Sequence, residues 1–144
     1  MVDDDNDDSL LFREALGSID SSLKMDRVKN GKEALDVLDK DHTVLPDILF
    51  VDINMPMIDG WQLLTYLKGS QKLKTIPVAI YTTSSHKSDI KTAGELGASY
   101  FISKPTDFME LVHILKLFAK VGIANYASDK YTFHTTFLDL TEKV

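Results

Sequence analysis

The sequence contains no cysteine. That removes disulfides, thiolate catalysis and cysteine zinc sites together, and it suits a reducing compartment such as the cytoplasm. Basic residues are in deficit, with 16 Lys and Arg against 22 Asp and Glu for a formal charge of −6. Such a balance argues against a nucleic acid or an anionic membrane as the main partner. No apolar run approaches the roughly 20 residues of a membrane span, and the acidic start lacks the basic and apolar parts of a signal peptide. Aromatics are sparse at 9%, and neither an internal repeat nor a low-complexity stretch occurs. The four histidines, His42, His86, His113 and His134, have no metal-ligand spacing with one another. What is present, 144 residues with 44% hydrophobic content, suffices for one domain with an ordinary core.

The chain alternates between two periods. Leu11, Ala15 and Ile19 recur four apart, with Phe12 and Leu16 on the adjoining face, which predicts a helix over 9–19. A short strand is expected at 23–28, and Ala34, Leu35 and Leu38 predict a helix over 31–40. The apolar run DILFV (47–51) has the pattern of a strand buried on both faces, followed by helical period in 61–68. A strand at 77–81, a weaker helix at 85–96 stopped by Gly97 and a strand at 99–103 come next. The last helix, 106–119, carries the apolar stripe Phe108, Leu111, Val112, Leu115 and Phe118, with Asp107 and Glu110 at capping-box spacing. Strands and helices in alternation imply a parallel sheet covered on both faces. Residues 121–144 are too short for a second domain. There Tyr131, Phe133 and Phe137 alternate with polar residues in a strand-like tail, expected to dock on a sheet edge or a neighbouring subunit.

In open α/β sheets ligands bind beyond the carboxyl ends of the strands. The residues there are Asp3 and Asp4 after Val2, Asp52 after DILFV, Thr82 after PVAIY and Lys104 after SYFIS. Taken singly each has a plain alternative: a solvated acidic terminus for Asp3 and Asp4, a turn-capping aspartate for Asp52, an ordinary strand threonine, a solvated lysine. Asp5, Asp7 and Asp8 are assigned to the dipole of the first helix rather than to the site. If the four ends converge, three carboxylates, a hydroxyl and an ammonium share one pocket. Oxygen-only ligands suit a hard cation such as Mg²⁺, and an aspartate there can accept a phosphoryl group as an acyl phosphate.

The set VDD near the start, FVDINMP with DG following (50–60), YTTSS (81–85) and FISKP (101–105) resembles the receiver domain of bacterial response regulators over roughly residues 1–120. The resemblance implies a flavodoxin-like doubly wound parallel sheet of five strands, order 2-1-3-4-5, with five helices. It implies Asp52 as phosphoacceptor, Asp3, Asp4, Asp52 and the Asn54 backbone carbonyl as ligands of Mg²⁺, and Lys104 against the phosphoryl group. Thr82 and Phe101 would form the switch pair, Phe101 by packing alone because it lacks a ring hydroxyl. A cis Lys104–Pro105 bond would aim the lysine inward.

The function so implied is that of a stand-alone, cytoplasmic receiver rather than an enzyme. It is phosphorylated by a histidine kinase or a histidine phosphotransfer protein and signals through protein contacts, with pairing of two copies through the fourth helix, fifth strand and fifth helix as one outcome. The alternatives are a phosphorylation-independent binding module on the same fold and an aspartyl-phosphate phosphatase. The phosphatase normally needs a second acid where this chain has Asn54. One tension remains. The first strand of such a sheet is central, yet only Met1 and Val2 precede the acids. Unpaired backbone groups are therefore expected there, unless the natural chain begins a few apolar residues upstream or the tail compensates.

Overall fold

In the computed structural model, which describes residues 1–121, the elements are α1 (Asn6–Ile19), α2 (Gly31–Leu38), β1 (Leu49–Val51), α3 (Gly60–Gly69), β2 (Val78–Thr82), α4 (Lys87–Glu95), β3 (Tyr100–Ser103) and α5 (Phe108–Val121). The strand-like tail expected around Tyr131, Phe133 and Phe137 lies outside the described residues.

The helices begin where short polar side chains satisfy their first amides. Asp5 accepts from Asp7 N at 2.8 Å and Asp8 N at 3.0 Å to open α1. Asn30 accepts from Glu33 N to open α2, and Asp59 with Gln62 closes a reciprocal capping box on α3. Asp107 accepts from Met109 N and Glu110 N at the start of α5. His86, before α4, makes no such bond.

Strands β1, β2 and β3 are parallel and lie in that order. Among the described residues they are the only regular strands, so the five-stranded sheet is reduced to three strands and two bridges. Val2 forms single-residue parallel bridges to Val28 on one side and Val51 on the other. The strand expected at 23–28 is thus represented by Val28 alone, because its central neighbour is too short to sustain a ladder. Within that limit Val2 is well paired. Its amide donates to Phe50 O at 2.8 Å and its carbonyl accepts from Asp52 N at 3.0 Å. Met1 O accepts from Val28 N, and Asp3 N donates to Val28 O. The unpaired groups expected here are absent at these positions, since one residue is bonded from both sides.

Period-two alternation along the strands builds two cores. Leu49, Val51, Val78, Ile80 and Phe101 meet Ala34 and Leu38 of α2, Leu63, Leu64 and Leu67 of α3 and Ala93 of α4. Phe50, Ala79, Tyr81, Tyr100 and Ile102 meet Phe12 and Ala15 of α1 and Leu111, Val112, Ile114, Leu115 and Phe118 of α5. On this second face Phe12, Phe50, Tyr81, Tyr100 and Phe118 form a chain of edge-to-face rings. Two expected stripe members fall outside. Leu11 and Phe108 are exposed, because Phe12 takes the sheet-facing position of α1 and the buried stripe of α5 starts at Leu111.

Candidate functional site

Every strand of the parallel sheet points its carboxyl end the same way, so the residues leaving those ends gather at one rim. Asp52 follows β1, and the backbone after it is held by the α3 cap. Gly60 N donates to Ile53 O at 2.9 Å, and a Cβ on Gly60 would stand 2.3 Å from Asp52 O. Only glycine permits that approach. Asp3 follows the Val2 bridge and is fully buried, with Oδ1 accepting from Asp5 N at 2.9 Å to bend the chain into α1. Arg27 ties this bend down, donating from Nε to Asp3 O at 3.1 Å and from Nη1 to the Asn6 carboxamide at 2.6 Å.

Asp3, Asp4 and Asp52 each present a carboxylate oxygen within 4.8 Å of the others. The donor set is oxygen only, two of its members are buried and Asp4 is exposed, which fits a hard divalent cation that keeps part of its water. Asn54 lies in the exposed turn after Asp52, its amide 3.5 Å from Asp52 Oδ1.

Lys104 enters from the opposite edge. Its amide donates to Thr82 O at 2.6 Å, which fixes the chain leaving β3 against the end of β2. Its Nζ lies 2.8 Å from Asp3 Oδ2, 2.7 Å from Asp8 Oδ2 and 3.4 Å from Asp52 Oδ2, and 5.5 Å from the centre of the Tyr81 ring. An ammonium has three protons, and here three carboxylates face them. Burial alone would lower the Lys104 pKa. The hydrogen bonds to Asp3 and Asp8 and the charge of Asp52 outweigh it and hold the ammonium well above its ordinary value. Burial raises the Asp3 pKa, and the hydrogen bond from Lys104 only partly opposes it. The cis Lys104–Pro105 bond is not found; no cis peptide occurs among the described residues. The Thr82 carbonyl and the carboxylates orient the lysine with the ordinary trans bond in place.

Thr82 is fully buried, its hydroxyl accepting from Ser84 N at 3.3 Å. The loop beyond it is tied down through Ser84, whose hydroxyl donates to Asp89 of α4 and whose carbonyl accepts from the Ser103 hydroxyl at 2.9 Å. Phe101 is fully buried on the α2–α4 face.

The expected residues Asp3, Asp4, Asp52 and Lys104 are thus brought together, with Thr82 on the adjoining strand end and Phe101 packed beneath the sheet rather than in the pocket. Sequence reasoning left out Asp8, Arg27 and Ser84. For Asp8 a signal existed: Asp8, Phe12 and Ala15 are spaced i, i+4, i+7, so Asp8 continues the buried face of α1 toward the sheet.

Comparison with known proteins defines the class. The family described as the response regulator receiver domain matches residues 1–116. The chain belongs to that family, the phosphorylation-based receivers of two-component signalling. Its relatives include the polar-differentiation response regulator DivK of Brucella ovis, 30% identical over 117 residues that cover 81% of this chain and 91% of DivK. Among solved structures, the phosphorylated cyanobacterial phytochrome response regulator RcpA is 29% identical with a TM-score of 0.76, covering 83% of this chain and 89% of RcpA. The Mn²⁺-bound response regulator Rcp1 is 25% identical with a TM-score of 0.68, covering 83% of this chain and 88% of Rcp1. No described helix is long and apolar enough to cross a membrane.

Proposed function

We propose that this receiver accepts a phosphoryl group on Asp52, in a Mg²⁺-dependent reaction, from the phosphohistidine of a histidine kinase or histidine phosphotransfer protein. The observation that carries this reading is the placement of Asp52. It is a carboxylate at a strand end, within reach of two further carboxylates and 3.4 Å from a lysine ammonium. A carboxylate oxygen of Asp52 attacks phosphorus, the P–N bond to the donor imidazole breaks, and the imidazole nitrogen keeps that electron pair. Asp3, Asp4, Asp52 and the Asn54 carbonyl would hold the cation, which supplies charge neutralisation for the phosphoryl oxygens. Lys104 stabilises another of those oxygens. Thr82 turns its hydroxyl from Ser84 toward the group, and Phe101 follows by repacking, since it has no ring hydroxyl to rebond.

In this reading the protein works in the cytoplasm as a signalling partner rather than as an enzyme. Its sheet follows the 2-1-3-4-5 order to which the Val2 bridges contribute. It acts on a downstream protein through an altered surface, including a phosphorylation-dependent pairing with a second copy. Mixing the purified protein with acetyl phosphate and Mg²⁺ and recording its intact mass tests the core of this. One phosphoryl group is expected on the wild type and none on Asp52→Asn, which keeps the shape but loses the nucleophile. Undiminished labelling of Asp52→Asn would place the acceptor elsewhere. Steady phosphate release without a labelled protein would indicate the phosphatase, and no label at all the phosphorylation-independent module.

A further inference from the structure

Lys104 faces a conflict that the cation reading creates. A divalent ion at Asp3, Asp4 and Asp52 needs the carboxylate oxygens on which the ammonium rests, 2.8 Å from Asp3 and 3.4 Å from Asp52. A buried cation left without a counter-charge beside an arriving dication is costly. The shortest of the three ion pairs, 2.7 Å, is to Asp8, which lies outside the group able to hold the ion. Asp8 differs from its partners in other ways too. Its side chain is 32% exposed, whereas Asp3 is at 0% and Asp52 at 10%. It stands in the first turn of α1, whose cap at Asp5 fixes the direction in which it projects. The lysine therefore has one carboxylate that no bound ion takes from it.

We propose that Asp8 is a positioning residue that holds the Lys104 ammonium aside when a divalent cation takes Asp3 and Asp52. The proposal rests on the reading of this pocket as a divalent-cation site and adds a residue to it. With Asp8 present, cation binding shifts the lysine from three partners toward one. Without it, the ammonium has only Asp3 and Asp52, so it competes directly with the ion for both.

Calorimetric titration of the full chain with Mg²⁺ alone tests this in a cycle of four proteins: wild type, Asp8→Asn, Lys104→Ala and the double variant. Asp8→Asn is expected to weaken Mg²⁺ binding roughly fivefold, the scale of a partly exposed charge pair. The same substitution on the Lys104→Ala background should change it by less than about twofold, because the competing ammonium is gone. Asp8→Glu should restore most of the wild-type affinity. Melting curves of all variants establish that each is folded. An equal loss on both backgrounds would mean that Asp8 contributes only its charge at a distance, and unchanged affinity in Asp8→Asn would mean that it contributes nothing. Either result overturns the proposal while leaving the cation site standing. Failure of the wild type to bind Mg²⁺ would overturn the cation reading, and this proposal with it.

Discussion

Helices α3 and α4 lean on the same face of the sheet but are held to it by different means. Helix α3 starts with a reciprocal capping box and buries Gly60, Leu63, Leu64 and Leu67. Helix α4 starts at His86 without a side-chain cap and buries only Ala93. The two helices follow different parts of the site. The first is joined to Asp52 through the Gly60 approach, the second to Thr82 through Ser84 and Asp89. Under the proposed function, the half of the pocket that carries the phosphoacceptor is therefore built on a well-packed helix. The half that would move in signalling is built on one held by few contacts, the arrangement from which low-energy local opening is drawn.

The comparison breaks most severely at Gly60. An alanine there would drive its Cβ into Asp52 O and Ile53 Cα, at 2.3 and 2.8 Å, and both are backbone atoms that cannot rotate away. Gly60→Ala is expected to cost about 3 kcal/mol, a fall of roughly 10 °C in melting temperature for a chain of this size. Alanine at Gly97, after α4, also meets strain, from a φ of +91°, but its nearest contact is the flexible Lys68 side chain at 3.3 Å. Its melting temperature should fall by less. Equal losses would remove the distinction between the two helices.

A smaller effect is expected on removing the cation that balances the acids. The folded-state pKa of Asp3 lies above its ordinary value of 3.8. The folded protein thus binds that proton more tightly than the unfolded chain, and stability from this group falls as pH climbs through the interval above that value. Lys104 follows the same sign in a far higher pH interval. Its folded pKa is raised above 10.5, so its contribution is complete at neutral pH and is lost only in strong alkali. Lys104→Ala should therefore lose about 2 kcal/mol at pH 7 and less at acid pH, where Asp3, whose pKa burial raises, takes up its proton and the ammonium loses that counter-charge, and Mg²⁺ should recover part of the loss. Melting curves across that range check the slope. A loss independent of pH would mean that packing of the lysine stem, not charge, is what the substitution removes.

The same contrast separates what was legible in the sequence from what was not. Helix α3 and the β1 run before it were plain, because Leu63, Leu64 and Leu67 repeat at helical spacing and LFV is apolar on both faces. Helix α4 was only faintly periodic, as a helix with a single buried residue must be. Asp52 and Lys104 were legible because each directly follows a strand-forming stretch, DILFV and SYFIS. Asp8 was lost among five aspartates in eight residues, which composition cannot tell apart; the winding of α1 from its Asp5 cap is what turns Asp8 toward Lys104 and leaves its neighbour Asp7 exposed. The sheet was over-read at 23–28. A strand exists only where a neighbour offers a ladder, and Val2 offers one residue.

The finest test of the comparison is at Ser84, where the expected effect is local. Its hydroxyl donates to Asp89 and accepts from His86 N at 3.2 Å, which stands in for the missing cap of α4. Ser84→Ala removes both bonds and leaves the buried core untouched, so the global loss should be about 0.5 kcal/mol. Hydrogen exchange should show more than the melting curve does. In the wild type, α4 amides are expected to exchange faster than those of α3, and Ser84→Ala should speed the first turn of α4 severalfold further while α3 is unchanged. If α4 is already as protected as α3, the weak hold inferred from its single buried residue is wrong. If Ser84→Ala loosens both helices together, the two halves of the pocket open as one unit. The division of labour between a fixed acid side and a yielding hydroxyl side then fails.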